Sequence, residues 1–194
     1  MVSTAEHEKP ARPGAVEQTD VVVIGAGQAG IAMSEHLGTR GIAHIVLERD
    51  RIAERWRTMR WDSLVANGPA WHDRFPGLEI AGLGPDEFAS KDRMAAYFEE
   101  YARMIDAPVR TGVEVTAVRK RDGGPGFRVE TTQGDIDARY VVAATGPFQQ
   151  PAIPPIVPAG AGLHQLHSSQ YHRPAQLPDG AVLVVGAGSS GVQI

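Results

Sequence analysis

Two glycine-rich segments of nearly the same composition are the residues of this sequence most suited to ligand chemistry. DVVVIGAGQAGIAM spans 20–33, and VLVVGAGSSGVQI spans 182–194. Each places three glycines in the spacing G-x-G-x-x-G directly after an apolar run. In that spacing the first glycine allows a sharp turn, the second lets a pyrophosphate approach the backbone, and the third lets the following helix pack closely. The start of that helix then offers unpaired N–H groups to phosphate oxygens.

The first segment has a context that supports a dinucleotide site. Its glycines are Gly25, Gly27 and Gly30, and the run IAHIVLER after them predicts the second strand of a β-α-β unit. Glu48 stands at the end of that strand, where an acidic side chain can accept hydrogen bonds from ribose hydroxyls. We also predict that two adjacent residues, Gln28 and Arg49, contact the dinucleotide. The alternative is a β-α-β unit with a glycine turn and an incidental surface glutamate.

The second segment repeats the pattern at Gly186, Gly188 and Gly191, after the apolar run VLVV. A strand-to-helix turn without a ligand is the alternative here. Two dinucleotide cradles in one chain would imply two dinucleotides. One would be a resident redox cofactor and the other a source of hydride.

Composition excludes several other functions. The 194 residues are 42% hydrophobic and 22% charged, an ordinary globular balance, and include no cysteine. Disulfides, thiolate metal sites and redox dithiols are therefore absent from this chain. A net charge of −4 provides no attraction to nucleic acid or an anionic membrane. The seven histidines lack metal-ligand spacing, so no metal site is expected. Without a signal-like or membrane-length apolar run, we expect a soluble cytoplasmic protein.

The elements that would position these segments alternate between strands and helices. The predicted fold class is α/β, a Rossmann-like doubly wound domain with a central parallel sheet and a small β-meander, followed by the truncated start of a second Rossmann domain.

Order is expected to begin at Asp20, and the basic run 49–60 is expected to be a solvated helix face. Ser90 is a candidate helix cap. The predicted strands are 21–25, 42–49, 113–119, 127–132, 139–146 and 182–185. The predicted inner faces are Ala29, Ala32, Met33 and Leu37 on the first helix and Met94, Tyr97, Phe98, Tyr101 and Ile105 on the later one.

The order of these motifs resembles the flavin-containing monooxygenase family, the class B flavoprotein monooxygenases. The motifs are the first G-x-G-x-x-G, an acidic strand end, the ATG of 144–146, HSSQY at 167–171 and the second glycine segment. Residues 1–17 are charged, contain two prolines and show no periodicity, which predicts a disordered leader. The resemblance implies an FAD-binding domain at 18–160. An interdomain linker would follow at 161–180, and 181–194 would begin a truncated NAD(P)-binding domain.

The resemblance also implies roles for individual residues. Asn67 matches the active-site asparagine that contacts flavin and nicotinamide, although an asparagine before glycine is also a common turn residue. His167 is expected to hold the linker rather than to act as a base. The FAD contacts implied are Gly25, Gly27, Gly30, Glu48, Trp56, Thr145 and Gly146, and the NADP contacts are Gly186, Gly188, Ser189, Ser190 and Gly191.

The implied reaction is monooxygenation with FAD and NADPH as cofactors and O2 and a small molecule as substrates. Reduced flavin would form a C4a-hydroperoxide that oxygenates a nitrogen or sulfur nucleophile or a carboxylic substrate. The absence of a GG pair before Trp56, and Tyr171 where ketone-inserting relatives have tryptophan, favour those branches. The alternatives are a pyridine-nucleotide flavoprotein reductase and a non-catalytic FAD-binding module. We expect the 194-residue chain to be an incomplete fragment without turnover by itself.

Overall fold

The computed structural model describes residues 16–147, 149–158 and 160–194, and its centre is a six-stranded sheet. The sheet order is β3-β2-β1-β6-β5-β4. The strands are β1 (Glu17–Ile24), β2 (His44–Glu48), β3 (Val109–Thr111), β4 (Val115–Lys120), β5 (Phe127–Thr131) and β6 (Ile136–Ala143). The helices are α1 (Gln28–Gly38), α2 (Glu54–Thr58), α3 (Ala70–Asp73), α4 (Lys91–Met104) and α5 (Ser189–Gln193), with a 3₁₀ turn at Pro174–Gln176.

The α/β prediction is confirmed, including its division into a parallel part and a β-meander. Strands β3, β2, β1 and β6 run parallel, and β4, β5 and β6 are joined antiparallel. The valines at 21–23 are at most 5% exposed, as expected of a central strand covered on both faces. Strand β6, predicted to be central, lies between β1 and β5.

The strand boundaries differ from the prediction by up to four residues, most at the starts of β1 and β6, and one strand was missed. β1 begins at Glu17 rather than near 20, because its first residues pair with the start of β6, Glu17 opposite Ile136. Glu17, which was expected to belong to the leader, therefore lies in a strand, and residues 1–15 of the expected leader lie outside the described part of the chain. The three-residue β3 pairs with β2, with Val109 opposite Val46. So short a strand carries no readable periodicity.

Helix α4 forms as predicted and closes one face of the core. The Ser90 hydroxyl accepts a hydrogen bond from the Arg93 N–H at 3.4 Å, which caps the helix. Its predicted inner face is buried apart from Ile105, which is half-buried. In α1 the prediction was partly wrong, since Ala29 is exposed. The buried side is Gly30, Ile31, Ser34 and Leu37, because Gly30 must face the preceding turn.

The predicted strand at 182–185 does not form. These residues are exposed, Leu183 to 86%, and are not part of the six-stranded sheet. A strand requires a neighbour for its N–H and C=O groups, and no other described strand lies beside this segment. The helix α5 after it nevertheless forms. No helix in the described ranges has the length and apolarity needed to cross a membrane.

Candidate functional site

A cleft of about 2020 Å³ opens where β1 and β6 end. The crossover from β1 through α1 leads to β2 on one side, and β6 lies on the other, so this is the switch point where α/β sheets bind ligands. Gly30 is the one predicted site residue that does not line the cleft. The predicted residues that do line it are Gly25, Gly27, Gln28, Glu48, Arg49, Trp56, Asn67, Thr145, Gly146, Gly186, Gly188, Ser189, Ser190 and Gly191.

The first glycine turn, 25–30, contains glycines that are required for two different reasons. Gly25 has φ +103°, and a Cβ placed on it would lie 2.6 Å from the carbonyl oxygen of Ala144. A Cβ on Gly30 would lie 1.8 Å from the carbonyl oxygen of Gly25. The protein's own backbone therefore excludes a side chain at both positions.

Gly27 differs, because nothing inside the protein demands a glycine there. Its φ is −86°, and apart from its own chain neighbours no atom of the described residues lies within 4 Å of the position a Cβ would take. It is the N-cap of α1 and faces the cleft. The free space beside it suits a phosphate group that approaches the backbone N–H groups closely, so the turn fits a dinucleotide.

Glu48 holds the shape of this turn. Its Oε2 accepts a hydrogen bond from the Ala26 N–H at 2.9 Å, and its Oε1 accepts one from the Asp50 N–H at 3.0 Å. Sequence reasoning assigned Glu48 to a ribose and missed this second role. Each carboxylate oxygen can accept more than one hydrogen bond, so the two roles are compatible. The contact with Ala26 follows from the parallel pairing of β1 and β2, which ends both strands at the same edge.

The second glycine turn, 186–191, repeats the conformation of the first. Gly186 has φ +123°, and a Cβ on Gly191 would lie 2.1 Å from the Gly186 carbonyl oxygen. Gly188 has φ −78° and ψ 177°, against −86° and −168° at Gly27. Apart from its chain neighbours, no atom in the described ranges lies within 4 Å of a Cβ placed on Gly188. The two turns thus present the same arrangement to one cleft.

The segment after β6 and the basic run form another wall of the cleft. Gly146 has φ +82°. Gln149 donates from Nε2 to the Thr145 carbonyl oxygen and accepts at Oε1 from Arg55 Nη1 at 3.2 Å. The Arg60 guanidinium lies 5.8 Å from the centre of a Trp56 ring. Burial, and secondarily the charge of Arg55, lower the pKa of Arg60.

The basic run is therefore not simply a solvated helix face, as the sequence had suggested. Within it, Arg49, Arg55 and Arg60 line the cleft. Arg51 and Arg57 instead pair with Glu54 and Glu99. The sequence alone does not show which arginines of this run face the cleft. Helix α2 spans only part of the run, so helical spacing does not apply to all of it.

Asn67 lies in the loop between α2 and α3 and lines the cleft. The backbone before it is fixed by a hydrogen bond from the Ala66 N–H to the Ala89 carbonyl oxygen at 2.7 Å. Its Oδ1 accepts a hydrogen bond from Gln193 Nε2 at 3.2 Å. This contact joins the Asn67 loop to the helix of the second glycine segment. Its catalytic role remains a prediction.

Residues next to His167, rather than His167 itself, attach the linker to the rest of the protein. His167 Nδ1 lies 2.9 Å from the Ser169 hydroxyl, within its own turn. Tyr171 is 9% exposed and packs with Trp61 and Leu64. The linker contact that was expected of His167 is therefore made by Tyr171 of the same HSSQY motif.

Asp62 adds polar contacts to this attachment. Its N–H donates to the His172 carbonyl oxygen at 2.8 Å, and its Oδ2 lies 3.0 Å from Arg173 Nε. Its Oδ1 lies 3.4 Å from Nζ of the buried Lys91 at the start of α4. Sequence reasoning missed all of these residues, since their partners are far apart along the chain. In the described ranges no cluster of histidine, aspartate and glutamate could hold a metal ion.

Comparison with known proteins agrees with this geometry. A model of the family described as pyridine nucleotide-disulphide oxidoreductase matches residues 22–194. The chain is similar, with 44% identity, to an uncharacterized CzcO-like oxidoreductase of Geobacillus kaustophilus, over 90% of this chain and 50% of that protein. It is 34% identical to the indole-3-pyruvate monooxygenase YUCCA1 of Oryza sativa, over 89% of this chain and 43% of that protein. The chain thus spans about half the length of the curated relatives it matches.

Solved structures give the same result. A double mutant of a flavin monooxygenase from Stenotrophomonas maltophilia superimposes with a TM-score of 0.79 at 31% identity, covering 92% of this chain and 53% of that one. A bacillithiol disulfide reductase from Staphylococcus aureus shares the fold alone, with a TM-score of 0.65 at 16% identity over 76% of this chain and 44% of that one. The resemblance to flavin-containing monooxygenases is confirmed, and by the match over 22–194 the chain belongs to the pyridine nucleotide-disulphide oxidoreductase family.

Proposed function

We propose that this chain carries the FAD site and part of the NAD(P)H site of a flavin-dependent monooxygenase. The observation that carries the proposal is the pair of glycine turns with matching conformations on one cleft, each with free space beside its middle glycine. In disulfide reductases of the glutathione-reductase type the redox-active cysteine pair follows the first β-α-β unit, and residues 40–70 of this chain contain no cysteine.

The residues of the first turn would bind the FAD pyrophosphate. The N–H groups at the start of α1 would donate to it, and Gly27 would leave room for it. Glu48 would accept from ribose hydroxyls while it keeps its bonds to the turn. Thr145, Gly146 and Trp56 would line the path of the flavin ring, with Arg49 and Gln28 nearer the turn.

The second turn would receive the pyrophosphate of NADPH, with Ser189 and Ser190 as hydroxyl donors. Bound FAD would supply the redox chemistry, taking hydride from the nucleotide and activating O2. The protein's task would be to orient both cofactors and to exclude water. Asn67 would donate a hydrogen bond within the cleft. The substrate would be a small molecule with an oxidisable nitrogen or sulfur atom or a carboxylate.

Binding of FAD to the purified chain tests the first half of the proposal. Titration of FAD fluorescence should give saturable binding to the wild-type chain and a loss of at least about tenfold in affinity for Gly27→Val, because the valine fills the space meant for phosphate. Gly124→Val is the matched control, since its Cβ also meets nothing within 4 Å and Gly124 does not line the cleft. Equal FAD affinity for both variants would refute this site.

The oxygenation step requires the complete protein. Asn67→Asp replaces an amide that can donate by an acceptor-only carboxylate, so less of the NADPH consumed should appear as oxygenated product and more as H2O2. NADPH consumption, O2 uptake and product should be measured together. Unchanged coupling would remove Asn67 from the mechanism, and NADPH oxidation without any oxygenated product would favour a flavoprotein reductase.

A further inference from the structure

Gln193, the last residue of α5, makes three hydrogen bonds to the loop that carries Asn67. Its Oε1 accepts from the Val65 N–H at 3.3 Å, and its Nε2 donates to the Val65 carbonyl oxygen at 3.3 Å. The same Nε2 donates to Asn67 Oδ1 at 3.2 Å. Gln193 is 128 residues from Val65 in the sequence, so the contact joins the second glycine segment to the loop before α3.

The orientation of both amides follows from the backbone of Val65. A backbone N–H can only donate and a carbonyl can only accept, so the Gln193 amide fits Val65 in one orientation, with Nε2 toward the carbonyl. Nε2 is a donor and therefore requires the acceptor atom of Asn67, which is Oδ1. The amino group of Asn67 is then the part of its amide that remains for a molecule in the cleft.

We propose that Gln193 is a positioning residue that fixes the Asn67 amide so that it presents a hydrogen-bond donor to the cofactor in the cleft. This inference rests on the proposed FAD site. Oxidised flavin has one N–H donor, at N3, and several acceptors, namely two carbonyl oxygens and the ring nitrogens N1 and N5. A fixed donor therefore suits most of its polar atoms, and a fixed acceptor would oppose those acceptor atoms. Gln193 needs no contact with the cofactor to have this effect.

Replacing Gln193 by glutamate tests the inference with little change of shape. The carboxylate can still accept from the Val65 N–H, but it also accepts from the Asn67 amino group and so turns Oδ1 toward the cleft. We expect Gln193→Glu to weaken FAD binding about tenfold and Gln193→Ala about threefold, because alanine leaves the Asn67 amide free to turn. Gln18→Ala is the control, since Gln18 is exposed on β1 and does not line the cleft.

The same substitutions in an Asn67→Ala background separate positioning from a general structural effect. Without the Asn67 amide, Gln193→Glu should change FAD affinity by less than twofold, although its mismatch with the Val65 carbonyl is unchanged. Flavin absorbance should show the same pattern, with a shifted band in Gln193→Glu only when Asn67 is present.

Three outcomes would overturn the inference. A tenfold loss with Gln193→Glu that persists in the Asn67→Ala background would mean that the effect passes through Val65. Equal FAD affinity in all Gln193 variants would mean that Asn67 needs no positioning, and the FAD site itself would stand. Failure of the wild-type chain to bind FAD would overturn the inference together with the proposed function.

Discussion

The carbonyl oxygen of Gly25 occupies the space that a Cβ on Gly30 would need, since the two would be 1.8 Å apart. The same relationship recurs between Gly186 and Gly191, at 2.1 Å. In each turn the third glycine is thus required by the fold, through contact with the first. The fold does not require the middle glycine, so substitutions at the middle and third glycines can separate an effect on folding from an effect on ligand binding.

Gly30→Ala should destabilise the unliganded chain by about 3 kcal/mol or more, because two backbone segments would have to move apart. Gly27→Ala should cost at most about 1 kcal/mol, the usual loss when alanine replaces a good N-cap residue. Urea unfolding followed by circular dichroism measures both. Similar losses for the two variants would contradict the division of the glycines into those that serve folding and those that serve binding.

The glycine turns were readable from sequence because they are local. Strand, turn and helix follow one another within a few residues, and the spacing alone places Gly25, Gly27 and Gly30. The Gln193 contact to Asn67 was not readable, since it joins residues 126 positions apart. The strand predicted at 182–185 does not form, because its apolar pattern is local but its pairing is not. A strand needs a neighbouring strand to pair with, and the sequence pattern of the segment does not show whether one is present.

Glu48→Gln should reduce stability by about 1 to 2 kcal/mol, although the side chain keeps its size. The carboxylate accepts from two backbone N–H groups, and an amide can accept from only one of them while its own N–H₂ faces the other. FAD affinity should fall as well, because the Ala26 bond shapes the turn. Glu100→Gln on the exposed side of α4 is the control for charge. A stability unchanged relative to that control would mean that the two hydrogen bonds do not hold the turn.

Tyr171→Ala should release the linker without loosening the sheet. Tyr171 packs with Trp61 and Leu64 in a cluster separate from the sheet core, so its loss acts locally. Hydrogen exchange of the amides at 167–177 should become at least about tenfold faster, while those of β1 and α4 keep their rates. Tyr140→Ala, at a tyrosine 61% exposed on β6, should change neither set. Uniformly faster exchange throughout the chain would show that Tyr171 belongs to the main core.

Asp137 should make the stability of the chain depend on pH in the acid range. It lies opposite Arg128 on the antiparallel pair β5–β6 and accepts from Arg128 Nε at 2.5 Å and Nη2 at 3.2 Å. These hydrogen bonds, with the added charge of Arg121, hold the pKa of Asp137 below its usual value although burial opposes them. A carboxyl whose pKa is lowered by folding stabilises the protein above its unfolded pKa, about 4 for aspartate, and loses that effect as the pH falls through its folded pKa.

Asp137→Asn should therefore be less stable than the wild type at pH 7, and the difference should shrink below about pH 4. Urea unfolding from pH 3 to 7 measures this, with Asp122→Asn in an exposed turn as the control. A difference that stays constant across the range would mean that the ion pair is not the cause.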